Sequence, residues 1–90
     1  QLIYNTFLTI QIMKIYLQIH ALNRQGLLAD ITTMLAQMRV MIHAINARDP
    51  QLDEATVYLT ICVNSLDHLQ YVTGRLAQIE GVDRVDRATS

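Results

Sequence analysis

Six residues, Asn23-Arg24-Gln25-Gly26-Leu27-Leu28, carry the strongest chemical signal in this chain. They stand between an alternating stretch and a run with helical spacing, which makes them a strand-to-helix junction. The glycine has no side chain to block the close approach of a backbone or a small ligand. The helix that opens there presents unpaired N–H groups and the positive end of its dipole, so a carboxylate or phosphate is welcome. The donors are the N–H groups around Gln25, Gly26 and Leu27, with the Asn23 amide beside them. Nothing adjacent could do chemistry on a bound molecule, so the pattern reads as binding. The same residues also admit a purely architectural reading. Asparagine tolerates unusual φ, and glycine allows tight packing of helix on sheet.

The other chemistry-bearing side chains point nowhere as sharp. His20, His43 and His68 lack the spacing of a metal site, with no two at close helical or turn separation. They read as solvated or as contacts between chains. Cys62 reads as a small strand residue, with no cluster of cations nearby to activate it as a nucleophile. Met13, Met34, Met38 and Met41 suit core and interface filling. Asp83, Arg84, Asp86 and Arg87 suit a solvated strand of mixed charge. Arg24 stands where a phosphate-binding loop of an acylphosphatase-like hydrolase would need an arginine, but the glycine-rich cradle is missing. No catalytic residue, metal or cofactor is expected.

The elements that position the junction are legible from period. Ile15, Leu17, Ile19 and Ala21 alternate with Lys14, Tyr16, Gln18 and His20, which gives a half-buried strand over 14–22. Leu27, Leu28, Ile31, Met34, Leu35 and Met38 recur at helical spacing through about Arg39. Val40–Arg48 is apolar and β-branched enough for a second strand, and Asp49-Pro50-Gln51-Leu52-Asp53 supplies a turn. A third strand places Ala55, Val57, Leu59, Ile61 and Val63 inward. Asn64 or Ser65 then caps a second helix whose buried stripe is Leu66, Leu69, Val72, Leu76 and Ile79. Gly81 ends it, and 82–88 is a short last strand.

The order β-α-β-β-α-β predicts an α+β, ferredoxin-like fold: a four-stranded antiparallel sheet with both helices on one face. The opposite face carries Tyr16, His20, Tyr58, Thr60 and Cys62. The two tyrosines are candidates for stacking RNA bases, although no basic motif accompanies them.

Composition bounds the partners. Ninety residues make one small domain, and 51% hydrophobic against 17% charged residues is more apolar surface than such a domain hides alone. Some of it is expected to face another chain or domain. A net charge of −1 with a pI near 6.3 gives no electrostatic reason to expect nucleic acid. One cysteine fits a reducing, cytoplasmic compartment. Asn5, Thr6, Thr9, Gln11, Lys14 and Gln18 interrupt the apolar start, so a membrane span is not expected. Residues 1–13 are set apart as an extra strand, a linker or a remnant, with the domain over 14–90. The missing first methionine suggests a fragment of something longer.

The segment Ile19-His20-Ala21-Leu22-Asn23-Arg24-Gln25-Gly26-Leu27-Leu28-Ala29-Asp30-Ile31 resembles the opening of an ACT domain, a small regulatory module of this topology. Arg39-Val40-Met41-Ile42-His43-Ala44-Ile45-Asn46-Ala47-Arg48 is similar to the second strand of the ACT domain of long RelA/SpoT-type (p)ppGpp synthetase/hydrolases. Ala55–Ile61, Leu66–Leu69 and Ile79–Val82 fit that subfamily as well. Two positions depart from the pattern. Gln25 stands where the family often has proline, and Met41 where ligand-binding members often carry asparagine. The resemblance implies a non-catalytic regulatory fragment of a GTP pyrophosphokinase, working in the stringent response through a small molecule, the parent's other domains or the ribosome. It also implies a homodimer. The alternative it leaves open is an amino-acid-binding ACT domain of another metabolic enzyme or regulator. An effector would sit on Asn23, Gln25, Gly26, Leu27 and Leu28, against Met41, Ile42 and His43 of a partner. The apolar wall favours a branched-chain amino acid, and the lost asparagine sets the expected affinity at about millimolar.

Overall fold

The computed structural model describes residues 12–48 and 53–88. Six elements follow one another: β1 (Met13–Leu22), α1 (Leu27–Gln37), β2 (Met41–Arg48), β3 (Glu54–Val63), α2 (Leu66–Leu76) and β4 (Val82–Ala88). The strands form one antiparallel-paired sheet in the order β2-β3-β1-β4, the expected ferredoxin-like arrangement. Ile15, Leu17, Ile19 and Ala21 of β1 lie beside Ile61, Leu59, Val57 and Ala55 of β3 in register, all buried. Period two thus becomes one apolar sheet face.

Both helices cover that face. Leu27, Ile31 and Leu35 of α1 and Leu69, Val72 and Leu76 of α2 join the same core, with Val40 and Ile79 closing its ends. Each fully buried aliphatic side chain of this kind contributes about 1.5–3 kcal/mol over leaving it in water. Among the described residues no polar or charged one is buried. Stability here rests on apolar packing.

Helix ends are set by local chemistry. Ser65 caps α2, its Oγ accepting from the His68 N–H at 3.0 Å, while His68 Nδ1 accepts from the Asn64 N–H at 3.3 Å. At the end of α1, Arg39 adopts φ 57°. Its N–H donates to the Ala36 carbonyl and the Val40 N–H to the Leu35 carbonyl, each at 3.0 Å. That pair of bonds is a Schellman motif, here with arginine in the place glycine usually takes.

Several expectations need correction. β1 begins at Met13, one residue earlier than the alternation suggested. α1 ends at Gln37, and Val40 belongs to the helix-ending motif, buried at 7% exposure, so β2 starts at Met41. Leu66 is 60% exposed: as the first residue of α2 it lies beyond Val63, where β3 ends. Leu28 is 43% exposed, a step of about 100° round the helix from buried Leu27. Met34 and Met38 are only partly buried, at the edge of the core. The turn read at Asp49–Asp53 lies outside the described residues but for Asp53, as does the extra-strand, linker or remnant reading of residues 1–13 but for Ile12 and Met13.

Candidate functional site

Gly26 occupies the N-cap of α1 with φ 87° and ψ −1°, a left-handed conformation that a residue with a Cβ adopts only under strain. Among the described residues no side chain caps the helix. The Asp30 N–H donates to the Gly26 carbonyl at 2.9 Å, and the Leu27 N–H to the Arg24 carbonyl at 3.3 Å. The architectural demand on glycine is therefore real. The space its side chain would take is bordered by the Arg24 guanidinium, 3.6 Å from an ideal Cβ.

Arg24 is the feature that sequence reasoning undervalued. Its Nε donates to the Glu80 carbonyl at 3.0 Å, one terminal nitrogen to the Gln25 carbonyl at 3.2 Å and the other to Asp30 Oδ2 at 2.7 Å. One side chain so ties the β1–α1 junction to the turn between α2 and β4. Leu22 and Asn23 reinforce the tie: the Leu22 N–H donates to the Gly81 carbonyl at 2.8 Å and the Asn23 N–H to the Asp53 carbonyl at 2.9 Å. Gly81, at φ 88°, is pressed against Leu22 and Arg24. Only the Arg24–Asp30 spacing left a trace in the sequence. The Glu80 carbonyl is a backbone atom 56 residues away, and no side-chain pattern announces it.

The structure places the named site residues unevenly. Asn23, Gln25 and Gly26 are exposed at the junction. Leu27 turns its side chain into the core, so only its backbone faces the helix end. Leu28 lines a hollow of about 220 Å³ between α1 and β2, with Ala29, Thr32, Ile45, Asn46 and Ala47. Met41 and His43 are exposed and Ile42 partly covered. These three are not brought to the junction within one chain. β1 and β2 both run antiparallel to β3, with Met41 opposite Cys62 and Cys62 opposite Lys14, whereas the junction follows Leu22, opposite Glu54. Met41–His43 therefore sit at the far end of the sheet from Asn23–Leu28. Asn46–Arg48, at the near end of β2, are the strand residues that border the junction.

Charge near the junction is balanced. The Asp30 carboxylate in the first turn of α1 complements the helix dipole and is neutralised by Arg24. A second cluster lies on the open sheet face. His20 Nε2 is 3.4 Å from Asp86 Oδ2, which also accepts from Arg84 Nε at 2.8 Å. That hydrogen bond, and then the Asp86 charge, raises the Arg84 guanidinium above its ordinary pKa. A larger hollow of about 520 Å³ beside this cluster is lined by His20, Thr56, Asp53, Glu54, Asp83 and Arg84 among others. Its lining is net acidic, with Asp53, Glu54 and Asp83 set against Arg84. Among the described residues no three His, Cys, Asp or Glu side chains are grouped to hold a metal ion. Among them, too, no helix is long and apolar enough to cross a membrane.

Comparison with known proteins gives a consistent picture. The ACT domain family matches residues 11–87. A GTP pyrophosphokinase of Haemophilus influenzae is 32% identical over 74 residues, covering 81% of this chain and 10% of that enzyme. The crystal structure of the ACT domain from the GTP pyrophosphokinase of Chlorobium tepidum superposes with a TM-score of 0.76 at 22% identity, covering 87% of this chain and all of that one. A homoserine dehydrogenase from Thiobacillus denitrificans shares the fold over 88% of this chain and 17% of its own, with a TM-score of 0.66 and 24% identity. The two structural likenesses speak to fold alone.

Proposed function

Because the chain belongs to the ACT domain family, we propose that it is the regulatory module of a GTP pyrophosphokinase and passes amino-acid supply on to (p)ppGpp metabolism. The likeness to the Haemophilus influenzae enzyme over most of the chain carries this reading. The chain spans only a tenth of that enzyme's length, so synthesis and hydrolysis are proposed for the parent and regulation for this part. The module acts within the stringent response in the cytoplasm, through a small molecule, through contacts with the parent's other domains or through the ribosome.

For the small molecule, the supporting observation is the junction itself. A ligand carboxylate would take the N–H groups around Gln25 and Gly26 and compete with the Arg24 carbonyl, 3.3 Å away, for the Leu27 N–H, and Asn23 would hydrogen-bond its polar head. Arg24 already neutralises Asp30, so the first turn does not repel an anion. An apolar ligand side chain would lie along Leu28 and the hollow beside β2. Met41, Ile42 and His43 can complete the wall only from a second copy, because in one chain they stand at the other end of the sheet. Valine, isoleucine and leucine are the candidates.

An NMR titration with these three amino acids tests the site. Amides between Asn23 and Asp30 are expected to shift with an affinity on the order of millimolar. If none moves at concentrations well above that, the junction is architectural and the small-molecule reading falls. The parent assignment is tested separately. Removing this module from the full enzyme should alter its (p)ppGpp response to starvation, and an unchanged response would overturn it.

A further inference from the structure

Among the described residues no element covers the sheet face away from the helices, and its two central strands each put a tyrosine there. Tyr58 of β3 pairs with Gln18 of β1, and Tyr16 of β1 pairs with Thr60 of β3, so the two rings are diagonal neighbours. A diagonal across paired strands brings large side chains within reach of one another. Between them lies a hollow of about 220 Å³ lined by Tyr16, Gln18, Tyr58, Thr60 and Ala88, which has room for one bicyclic ring. The Ala88 methyl is the smallest side chain the last strand could offer there without glycine.

Two cations share this face with the tyrosines, one beside each ring, although neither lines the hollow itself. The Arg48 guanidinium lies over the Tyr58 ring at 5.3 Å from its centroid. Lys14 lies on the same face, two residues before Tyr16, about 7 Å along the strand. Among the described residues neither has an ion-pair partner, whereas Arg84 is already engaged by Asp83 and Asp86. Gln18 supplies an amide that can donate and accept, and Thr60 a hydroxyl.

We propose that this hollow binds the base of a purine mononucleotide, stacked against Tyr16 and Tyr58, with its phosphate held by Arg48 or Lys14. Aromatic side chains accept bases by stacking, and the flanking cations complement phosphate charge. One hollow admits one base. The chain's net charge of −1 is too low to track the backbone of a longer strand, which favours a mononucleotide over single-stranded RNA. This site is separate from the junction around Gly26, and its test reads different amides.

The test is an NMR titration of the chain with AMP, GMP, guanosine, inorganic phosphate and a short single-stranded oligoribonucleotide. AMP or GMP should shift the amides of Tyr16, Gln18, Tyr58 and Thr60, and the purine ring protons should move upfield. Guanosine should bind more weakly than GMP, and Arg48→Gln together with Lys14→Gln should narrow that difference. Tyr58→Phe should keep binding within about twofold, while Tyr58→Ala weakens it about tenfold or more. Tyr16→Phe and Tyr16→Ala give the same contrast should Tyr58→Ala fail to fold. Shifts produced equally by phosphate alone, binding by the oligonucleotide but by no mononucleotide, or no open-face shift at about 10 mM ligand would each overturn the proposal.

Discussion

Arg24 and Asp30 meet at 2.7 Å across the first turn of α1, and the same guanidinium reaches the Glu80 carbonyl at 3.0 Å. The ion pair and the backbone bond make unequal contributions. The Asp30 side chain is 55% exposed and that of Arg24 20%, so water screens much of their attraction. The bond to Glu80 ties together two turns that are remote in sequence. Arg24→Ala should therefore destabilise the domain by about 1–2 kcal/mol. Asp30→Asn should cost about 0.5 kcal/mol or less. Urea denaturation of both variants checks the order. Equal losses would mean that the ion pair, and not the tie to Glu80, holds the junction.

The two left-handed glycines should respond differently to the same substitution. A Cβ on Gly81 would stand 3.3 Å from the Leu22 Cβ and 3.4 Å from Arg24 Nε, whereas one on Gly26 finds its nearest neighbour at 3.6 Å. Gly26→Ala should cost about 1 kcal/mol, from backbone strain alone. Gly81→Ala adds crowding and should cost about 2–3 kcal/mol. Thermal unfolding of the pair gives the comparison, and the reverse ranking would refute it.

Arg39 is a place where the fold can be improved. Its φ of 57° suits glycine, and its backbone rather than its side chain completes the Schellman motif. Arg39→Gly should raise stability by about 0.5–1 kcal/mol. A lower urea midpoint for this variant would show that the arginine side chain makes a contribution that outweighs its strain.

The proposed second copy has a direct measure. Among the described strands β2 lies at an edge of the sheet, and its Met41 is 65% exposed. Sedimentation at micromolar concentration should give a mass near twice 10.3 kDa, and Met41→Glu should shift the population toward monomer. A strictly monomeric wild-type chain at every accessible concentration would remove the partner wall from the proposed amino-acid site.

What could be read in advance followed from periodicity. The alternation of Ile15, Leu17, Ile19 and Ala21 and that of Ala55 through Val63 placed β1 and β3 and the side each buries, because side-chain direction in a strand depends only on parity. The bounds of β4 were legible from Gly81, which marks its start, and not from alternation, because its partly buried positions fall every third residue. Leu66 misled because helical spacing does not say where the sheet beneath stops. Val40 misled because a β-branched residue suits a buried helix-ending motif as well as a strand. At the site, the glycine junction was visible, but the reach of Arg24 was not, since its partner at Glu80 is a backbone oxygen. The opposition of Met41–His43 and Asn23–Leu28 along the sheet emerged only from strand direction.

The placement of β1 between β3 and β4 also governs how the chain acquires its shape. β2 and β3 are neighbours in sequence and can zip together early, but Ala21 must wait for Val82 and Tyr16 for Ala88. Closing so long a loop costs entropy before any contact repays it. β1, the first of the described strands, thus gains its second neighbour only after all the other described elements have been made. Folding should accordingly be slower than for a helical bundle of this size, and an interrupted chain would expose the β1 edge as a template for association.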